Sequence, residues 1–291
     1  MSTPAVDSVA EQVAATAKPG RRRGTGPLLL GIGLIMLVLM IGVTFLAPWI
    51  VPYNPTMSAG PSLAPPDAQH WLGTDLIGRD TLSRLIMGGR TTLLITAVSV
   101  TIALALGLLL GLVSGYVGGA VDETIMRILD VIFAFPVFLL AITVVAALGP
   151  TIPNLILTIA IVYTPAMARV VRGPVLSVKQ WDHVEAARSI GVSEFTLVTR
   201  HILPIVISPV VVETSLTLAQ TIFTVTALSF LGLGPPPPDP NWGGMLAESR
   251  QFMEIAPMTV IAPAMAIVFA TMTFIVLANG LREVLDVGSR R

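Results

Sequence analysis

Three long stretches without any charged residue constrain this chain more than any other feature of its sequence. They cover residues 24–66, 91–121 and 131–168. A helix needs about 20 consecutive apolar residues to cross the hydrocarbon core of a bilayer, and each stretch exceeds that length. Over the whole chain 54% of residues are hydrophobic and 12% are charged, whereas soluble domains carry about 25% charged residues. The sequence therefore predicts an all-α membrane protein.

We predict six transmembrane helices, each centred on an apolar run. They are expected at residues 28–50, within 91–121, twice within 131–168, at 204–231 and at 257–281. The stretch 131–168 is too long for one span, and its turn-forming residues 148–154 separate the third helix from the fourth. A cleaved signal peptide is disfavoured for the first helix, because the apolar run is too long and no small-residue cleavage site follows it.

The distribution of Lys and Arg predicts the orientation in the membrane. If the N-terminus is cytoplasmic, thirteen of the 17 Lys and Arg residues fall on the cytoplasmic side. The other four fall outside: Arg79, Arg84, Arg90 and Arg250. Because cytoplasmic segments carry the excess of positive charge, both termini are predicted to be cytoplasmic. Residues 1–27 are expected to be a disordered cytoplasmic tail, and residues 282–291 a second, short one.

Two loops are predicted to lie outside the membrane. Within residues 51–90, the segment 71–90 has apolar residues every three to four positions, which predicts an amphipathic helix at the outer interface. Two acid–base pairs with helical spacing favour it: Asp75 with Arg79, and Asp80 with Arg84. A solvated linker is the alternative. In the other loop, 232–255, four successive prolines favour polyproline II and a stiff extracellular excursion.

Four glycines spaced four residues apart mark the second predicted span. They are Gly107, Gly111, Gly115 and Gly119. On a helix these positions form one smooth stripe, which lets another backbone approach closely. The stripe predicts tight helix packing, and the partner helix could belong to this chain or to another one.

The cytoplasmic loop at residues 172–203 contains the most distinctive local pattern in the chain. Asp182 and Glu185 have the spacing of a capping box, so a short helix is predicted to begin there. Gly191 is a natural C-terminal cap for this helix. An ordinary helical hairpin between two spans is the alternative to a functional role.

A second helix is predicted to follow the glycine turn. Ser193 can cap it, and it should run to Leu203 and bend at Pro204 on entering the membrane. In the first helix, Ala186 and Ala187 offer a low-profile surface on which another protein could dock. The loop therefore resembles a docking element rather than a plain connection.

The order of residues in this loop resembles the signature loop of permeases from binding-protein-dependent ABC importers. Glu185-Ala186-Ala187 is followed by three residues, Gly191, eleven residues and Leu203-Pro204. In that family the loop carries a coupling helix, which sits in a cleft of the ATP-hydrolysing subunit. The resemblance implies that coupling depends on eight residues: Asp182, Glu185, Ala186, Ala187, Arg188, Gly191, Leu203 and Pro204.

Further motifs are similar to those of the second permease of dipeptide and oligopeptide importers. They include Leu72-Gly73-Thr74-Asp75, Gly78-Arg79-Asp80, Gly115-Tyr116 with Gly118-Gly119, Asp122, Met126-Arg127, Asp130, Ala134-Phe135-Pro136 and the run from Ala227 to Gly234. The resemblance implies the six-helix type I ABC importer permease fold, with its transmembrane domain at 90–281, in the bacterial inner membrane. Within the family, a nickel or glutathione permease is an alternative to a peptide permease.

The resemblance also implies the partners of the chain. They would be a second homologous permease, two ABC ATPase subunits and an extracytoplasmic substrate-binding protein. A phosphate-binding loop needs a lysine after a glycine, and neither Lys18 nor Lys179 follows one. ATP and Mg would therefore be bound by the ATPase subunits, and this chain is expected to be neither an enzyme nor a cofactor carrier.

Composition argues against several other classes of site. The chain contains no cysteine, which excludes disulfides and thiolate metal sites. Its three histidines, His70, His183 and His201, are too far apart in sequence to form a metal-ligand motif. The net charge is zero and there is no basic stripe, so a nucleic-acid partner is not expected.

Glu213 is the unusual residue of the fifth predicted span. It lies nine residues after Pro204, about 13 Å along a helix, where a carboxylate is costly. It could line the translocation path or contact a peptide N-terminus, or it could be a hydrogen-bonded group at a subunit interface. As a proton relay, Glu213 would instead suit a proton-coupled secondary transporter, the alternative function from outside the family.

Overall fold

The structure is a computed structural model that describes residues 25–288. In this part of the chain the principal elements are helices and no β-strand is formed. The helices are α1 (Gly26–Ile50), α2 (Thr81–Val117), α3 (Gly119–Phe133), α4 (Val137–Leu148), α5 (Ile152–Val178), α6 (Asp182–Ser189), α7 (Glu194–Phe230), α8 (Trp242–Ser249) and α9 (Met258–Gly288). Nearly all of the predicted disordered tail 1–27 lies outside the described residues, as do residues 289–291.

Six candidate spans are present, in agreement with the predicted fold class. Helices α1, α2, α5, α7 and α9 are each long and apolar enough to cross a bilayer. The sixth candidate is the broken pair α3–α4, whose two halves are bent by 83°. Pro136 stands at the break, and it cannot donate a hydrogen bond to the carbonyl of Ile132 one turn earlier. The cytoplasmic location of the termini stays a prediction.

Several predicted spans have different boundaries in the structure, among them the third and the sixth. The third was expected to begin near residue 131, but its first helix, α3, begins at Gly119. Charged side chains such as Asp122 and Arg127 lie on α3, so a search for uncharged stretches could not include it. The sixth span was expected to end at residue 281, whereas α9 continues to Gly288.

The glycine stripe of α2 packs against α5 of the same chain. A methyl group on Gly107 would lie 2.3 Å from Cβ of Met167, and one on Gly115 would lie 2.9 Å from Cβ of Val175. These distances are too short for any side chain, so the two backbones are in close approach. The partner that the sequence left open is therefore within this chain. Gly119 is not part of the contact, since α2 ends at Val117.

The segment 51–80, which we call the outer loop because it is predicted to lie outside the membrane, does not contain the amphipathic helix predicted over 71–90, and for residues 71–80 that prediction is wrong. Gly73 and Gly78 have φ values of +72° and +80°, which turn the chain away from a helix. Asp80 then accepts a hydrogen bond from the backbone N–H of Ser83 at 2.8 Å. This N-cap starts α2 at Thr81.

The charged pairs that suggested the helix have other roles. Arg79 does bind Asp75, with Nε 2.6 Å from Oδ2, but inside a turn. Arg84 does not bind Asp80. Its Nη2 lies 2.8 Å from Oε2 of Glu248 in α8, and Nη2 of Arg79 lies 2.7 Å from the same oxygen. Both arginines are buried, so this ion cluster holds the outer loop against α8.

His70 lies at the centre of the outer loop. Its Nδ1 is 2.9 Å from Oδ1 of Asp80, and its ring centroid is 4.8 Å from that of Tyr53. The backbone N–H of His70 donates to Asp67, and this hydrogen bond lowers the pKa of the Asp67 carboxyl. Residues 51–80 are thus a folded segment, which also argues against the alternative of a solvated linker.

The second outer loop contains a helix that was not predicted. Residues 232–255 were expected to be a stiff polyproline excursion, but α8 occupies Trp242–Ser249 and packs back on α2. The indole Nε1 of Trp242 donates to the carbonyl of Leu85 at 2.9 Å. Asn241 caps α8 by accepting from the N–H of Gly244 at 2.7 Å.

The glycine contact can be tested by a single methyl group. Gly111→Ala is expected to destabilise the chain by about 1–3 kcal/mol, because the methyl would lie 2.5 Å from the carbonyl oxygen of Ala168. Gly42→Ala in α1 is the matched control, since nothing lies within 4 Å of its added methyl group. Thermal unfolding of the purified protein in detergent measures the difference. Equal melting temperatures for the two variants would contradict the contact.

Candidate coupling site

The short helix predicted in the loop 172–203 is present as α6, but it begins differently. Asp182 is the first residue of α6, and Trp181 before it is the N-cap, with no side-chain cap bond. The predicted capping box of Asp182 and Glu185 is therefore wrong, because Asp182 lies inside the helix rather than before it. Both carboxylates still lie in the first turn, where their negative charge interacts favourably with the positive end of the helix dipole.

The end of α6 follows the prediction closely. Gly191 has φ +82°, a left-handed value, and its N–H donates to the carbonyl of Arg188 at 3.0 Å. The N–H of Val192 donates to the carbonyl of Ala187 at 3.2 Å, which completes a glycine-based helix stop. Ser193 then caps α7 by accepting from the N–H of Thr196 at 3.3 Å.

The passage from the loop into the membrane is a continuous helix. Residues Leu197–Ile202 form a π-helical segment of α7, and the helix continues through Leu203 and Pro204. The bend predicted at Pro204 stays a prediction. Proline lacks the N–H that would bind the carbonyl of Arg200, which accounts for wider winding just before it.

The two alanines of α6 lie on different faces. Ala186 is exposed, as predicted for a docking surface. Ala187 is only 8% exposed and packs with Val184 into an apolar cluster formed with α5 and α7. The prediction that Ala187 faces a partner is therefore wrong: this residue holds α6 onto the rest of the chain.

Two exposed apolar side chains flank the glycine turn, and sequence reasoning missed them. Ile190 is 81% exposed and Phe195 is 78% exposed. They lie outside the uncharged spans and next to polar residues, so lipid is not their obvious neighbour. With Ala186 they form what we call the coupling surface (Ala186, Ile190 and Phe195). Their position beside Gly191 in a polar loop was the feature of the sequence that could have identified them.

Glu213 lies in the wall of a cleft of about 820 Å³ between α5, α7 and α9. It is half-buried, and Ser177, Ser208 and Arg282 also line the cleft. The carboxylate therefore faces a space that a ligand or another subunit could fill. In the described residues, no cluster of three or more His, Asp or Glu side chains could hold a metal ion.

Comparison with known proteins identifies the family. Residues 107–291 match the family described as the inner membrane component of binding-protein-dependent transport systems. The chain belongs to this family. Residues 31–71 also match the N-terminal transmembrane domain of oligopeptide transport permease C. The family member described here is thus the permease of an ABC importer and a multi-pass protein of the inner membrane.

Curated relatives are similar over most of the chain. A glutathione transport system permease protein, GsiD, of Shigella flexneri is 47% identical over 259 residues, which are 87% of this chain and 84% of that protein. The protein of the same name in Pectobacterium atrosepticum is 44% identical over the same shares. As in these permeases, the chain is a membrane component of a transporter and not itself an enzyme.

Solved structures show the same fold. An amino acid ABC transporter crystallised with histidines has a chain with a TM-score of 0.54 and 18% identity, covering 68% of this chain and 92% of that chain. The MetNI methionine ABC transporter in an inward-facing conformation gives a TM-score of 0.54 and 16% identity, covering 68% of this chain and 96% of that chain. At this identity the likeness concerns the fold alone.

Proposed function

We propose that this chain forms half of the translocation path of an ATP-driven importer for glutathione or peptides of similar size. Relatives that carry the name of glutathione permeases, 44–47% identical over 87% of the chain, support the substrate class. The sequence motifs favour a dipeptide or oligopeptide permease. Because glutathione is a tripeptide, the two substrates differ mainly in length and linkage.

The coupling surface is the observation that carries the proposed mechanism. Ile190 and Phe195 expose most of their apolar area in a polar segment, and burial of such side chains stabilises a complex by roughly 1.5–3 kcal/mol each. A cleft in an ATPase subunit would supply that burial. The other proposed partners are a second homologous permease, a second ATPase subunit and an extracytoplasmic substrate-binding protein.

The proposed cycle is alternating access. A loaded binding protein docks on the outer face, and ATP brings the two ATPase subunits together. Helix α6 moves with its ATPase and biases the permease pair toward the outward-open state. In this scheme the eight predicted coupling residues have unequal roles. Ala186 contacts the ATPase, Gly191 sets the turn, and Ala187 holds α6 in the chain together with Val184, which was not among the eight.

Uptake by the reconstituted complex tests the substrate. With the second permease, ATPases and binding protein from the same organism, labelled glutathione is expected to enter proteoliposomes only with ATP. An excess of unlabelled tripeptide should compete, whereas nickel should not, and a protonophore should leave uptake unchanged. Uptake that is driven by a proton gradient in the absence of ATP would contradict the proposal. If only long peptides compete, the substrate is an oligopeptide and not glutathione.

Substitution at the coupling surface tests the docking of the ATPase. Ile190→Ser combined with Phe195→Ser is expected to reduce co-purification of the ATPase by about tenfold or more, because the apolar contact is lost. Ile128→Ser combined with Val131→Ser, at exposed sites on α3, is the matched control. Ala186→Glu should keep the chain folded but lower uptake. Undiminished recovery of ATPase with the first pair would contradict the docking role.

Glu213 requires a separate test. If it lines the path and binds a substrate ammonium group, Glu213→Gln is expected to raise the KM for uptake by about tenfold, the cost of one charged hydrogen bond. Glu254→Gln, at an exposed site near the outer face, is the control. Unchanged uptake by Glu213→Gln would leave only a structural role for this carboxylate.

A further inference from the structure

The motifs between Gly115 and Asp130 are not part of the coupling surface. Their residues nevertheless contact the loop at residues 172–203. Tyr116 lies in the last turn of α2, and its hydroxyl donates to the carboxylate of Glu194 at the start of α7. Nη2 of Arg188, in α6, donates to the same hydroxyl at 3.2 Å. One tyrosine thus joins the ends of three helices.

A second contact joins α3 to α5. Arg172 binds Asp122 through two parallel hydrogen bonds, with Nε 2.6 Å from Oδ1 and Nη2 2.5 Å from Oδ2. Paired bonds of this kind define orientation as well as distance. The hydroxyl of Ser114, in α2, also donates to Asp122. Asp122 therefore binds α2 and α5 at the same time.

A third contact holds the end of α2 beside the start of α6. Nζ of Lys179 donates to the carbonyl of Gly115 at 2.7 Å and to that of Tyr116 at 3.3 Å. These carbonyls have no partner within α2, because they belong to its last turn. Lys179 is the C-cap residue of α5 and lies three residues before α6, so the contact holds the end of α2 beside the connection between α5 and α6.

Helix α3 depends on these polar contacts. Of its fifteen residues, Leu129 alone is buried, so apolar burial contributes little to holding α3 in place. Asp130 binds Arg169 of α5 at 2.5 Å, and the guanidinium of Arg169 also lies 4.0 Å from the ring centroid of Phe133 in α3. The carboxylate of Asp122 is 15% exposed, whereas that of Asp130 is 60% exposed. The Asp122–Arg172 pair is therefore the more buried of two polar attachments of α3 to α5.

We propose that Tyr116, Asp122 and Arg172 are positioning residues for coupling, which make α6, the end of α2 and α3 move as one body. The movement of α6 then reaches α4 through the bend after α3, as well as α5 and α7 through the chain itself. This inference rests on the proposed function, in which α6 docks on an ATPase. It adds a route, through α2 and α3 to α4, by which the movement of α6 can be transmitted outside the coupling loop.

Charge exchange tests the Asp122–Arg172 pair in the complete complex. Asp122→Arg and Arg172→Asp are each expected to raise the ATP hydrolysed per substrate imported by on the order of tenfold. The double exchange should restore the ratio to within about threefold of the original, which a loss of folding would not do. Glu123→Arg with Arg127→Glu, an exposed pair within α3, is the control. Unchanged ratios in both single variants would overturn the proposal.

A distance measurement covers the case in which the charge variants fail to assemble. Because the chain has no cysteine, Thr124→Cys on α3 and Ser189→Cys on α6 allow a single pair of spin labels. In an otherwise cysteine-free complex, the distance between the labels is expected to stay the same in the resting and ATP-trapped states. A change on ATP trapping would show that α3 and α6 move separately, and would overturn the proposal.

Tyr116→Phe separates this proposal from the proposed function. It removes the hydroxyl and keeps the ring, so the ATPase should still co-purify while the ATP-to-substrate ratio rises. Undiminished recovery of the ATPase with Ile190→Ser and Phe195→Ser, in a chain with unaltered Tyr116, would instead mean that the coupling surface is not the docking element. A normal ratio in Tyr116→Phe, with the ATPase bound, would exclude Tyr116 from the coupling route.

Discussion

Helices α2 and α5 pack with their backbones nearly in contact, because glycine replaces a side chain at three successive turns of α2. The contact lies in the uncharged part of the chain, but its consequences appear at the end of the bundle. It brings the last carbonyls of α2 within reach of Lys179. It also brings Asp122, which accepts a hydrogen bond from Ser114 of α2, within reach of Arg172. If larger residues separated the two helices, the coupling segment would lose its polar contacts with α2.

Charged pairs differ in burial between the two ends of the molecule. The outer cluster, centred on Arg84, is buried, so breaking it would leave charge without a partner at high cost. Such a cluster favours one geometry and suits a rigid outer cap. The contacts around Tyr116 and Asp122 are more exposed. Exposed pairs carry a smaller desolvation cost, so these contacts can hold α2, α3 and α6 together without the burial of charge seen in the outer cluster.

The sequence predicted the spans better than the segments between them. Uncharged stretches identify bilayer helices because lipid excludes charge, and the glycine stripe predicted tight packing of α2, although not that α5 is its partner. The uncharged-stretch criterion failed at α3, which carries four charged residues, two of them paired with α5. Acid–base spacing did not predict a helix, because Asp75 and Arg79 pair within a turn and Arg84 binds Glu248 of α8 instead of Asp80. At the coupling loop the glycine turn was predictable, but the burial of Ala187 depended on contacts distant in the sequence.

The coupling surface illustrates a limit of sequence reasoning in membrane proteins. More than half of the chain is hydrophobic, so two further apolar residues in a loop carry no signal by themselves. Along the spans, exposed apolar side chains are explained by lipid. Ile190 and Phe195 become informative only when α6 is seen to be a polar helix, held on one side by Val184 and Ala187 and open on the other. In the proposed function, a protein partner covers the face that α6 leaves open.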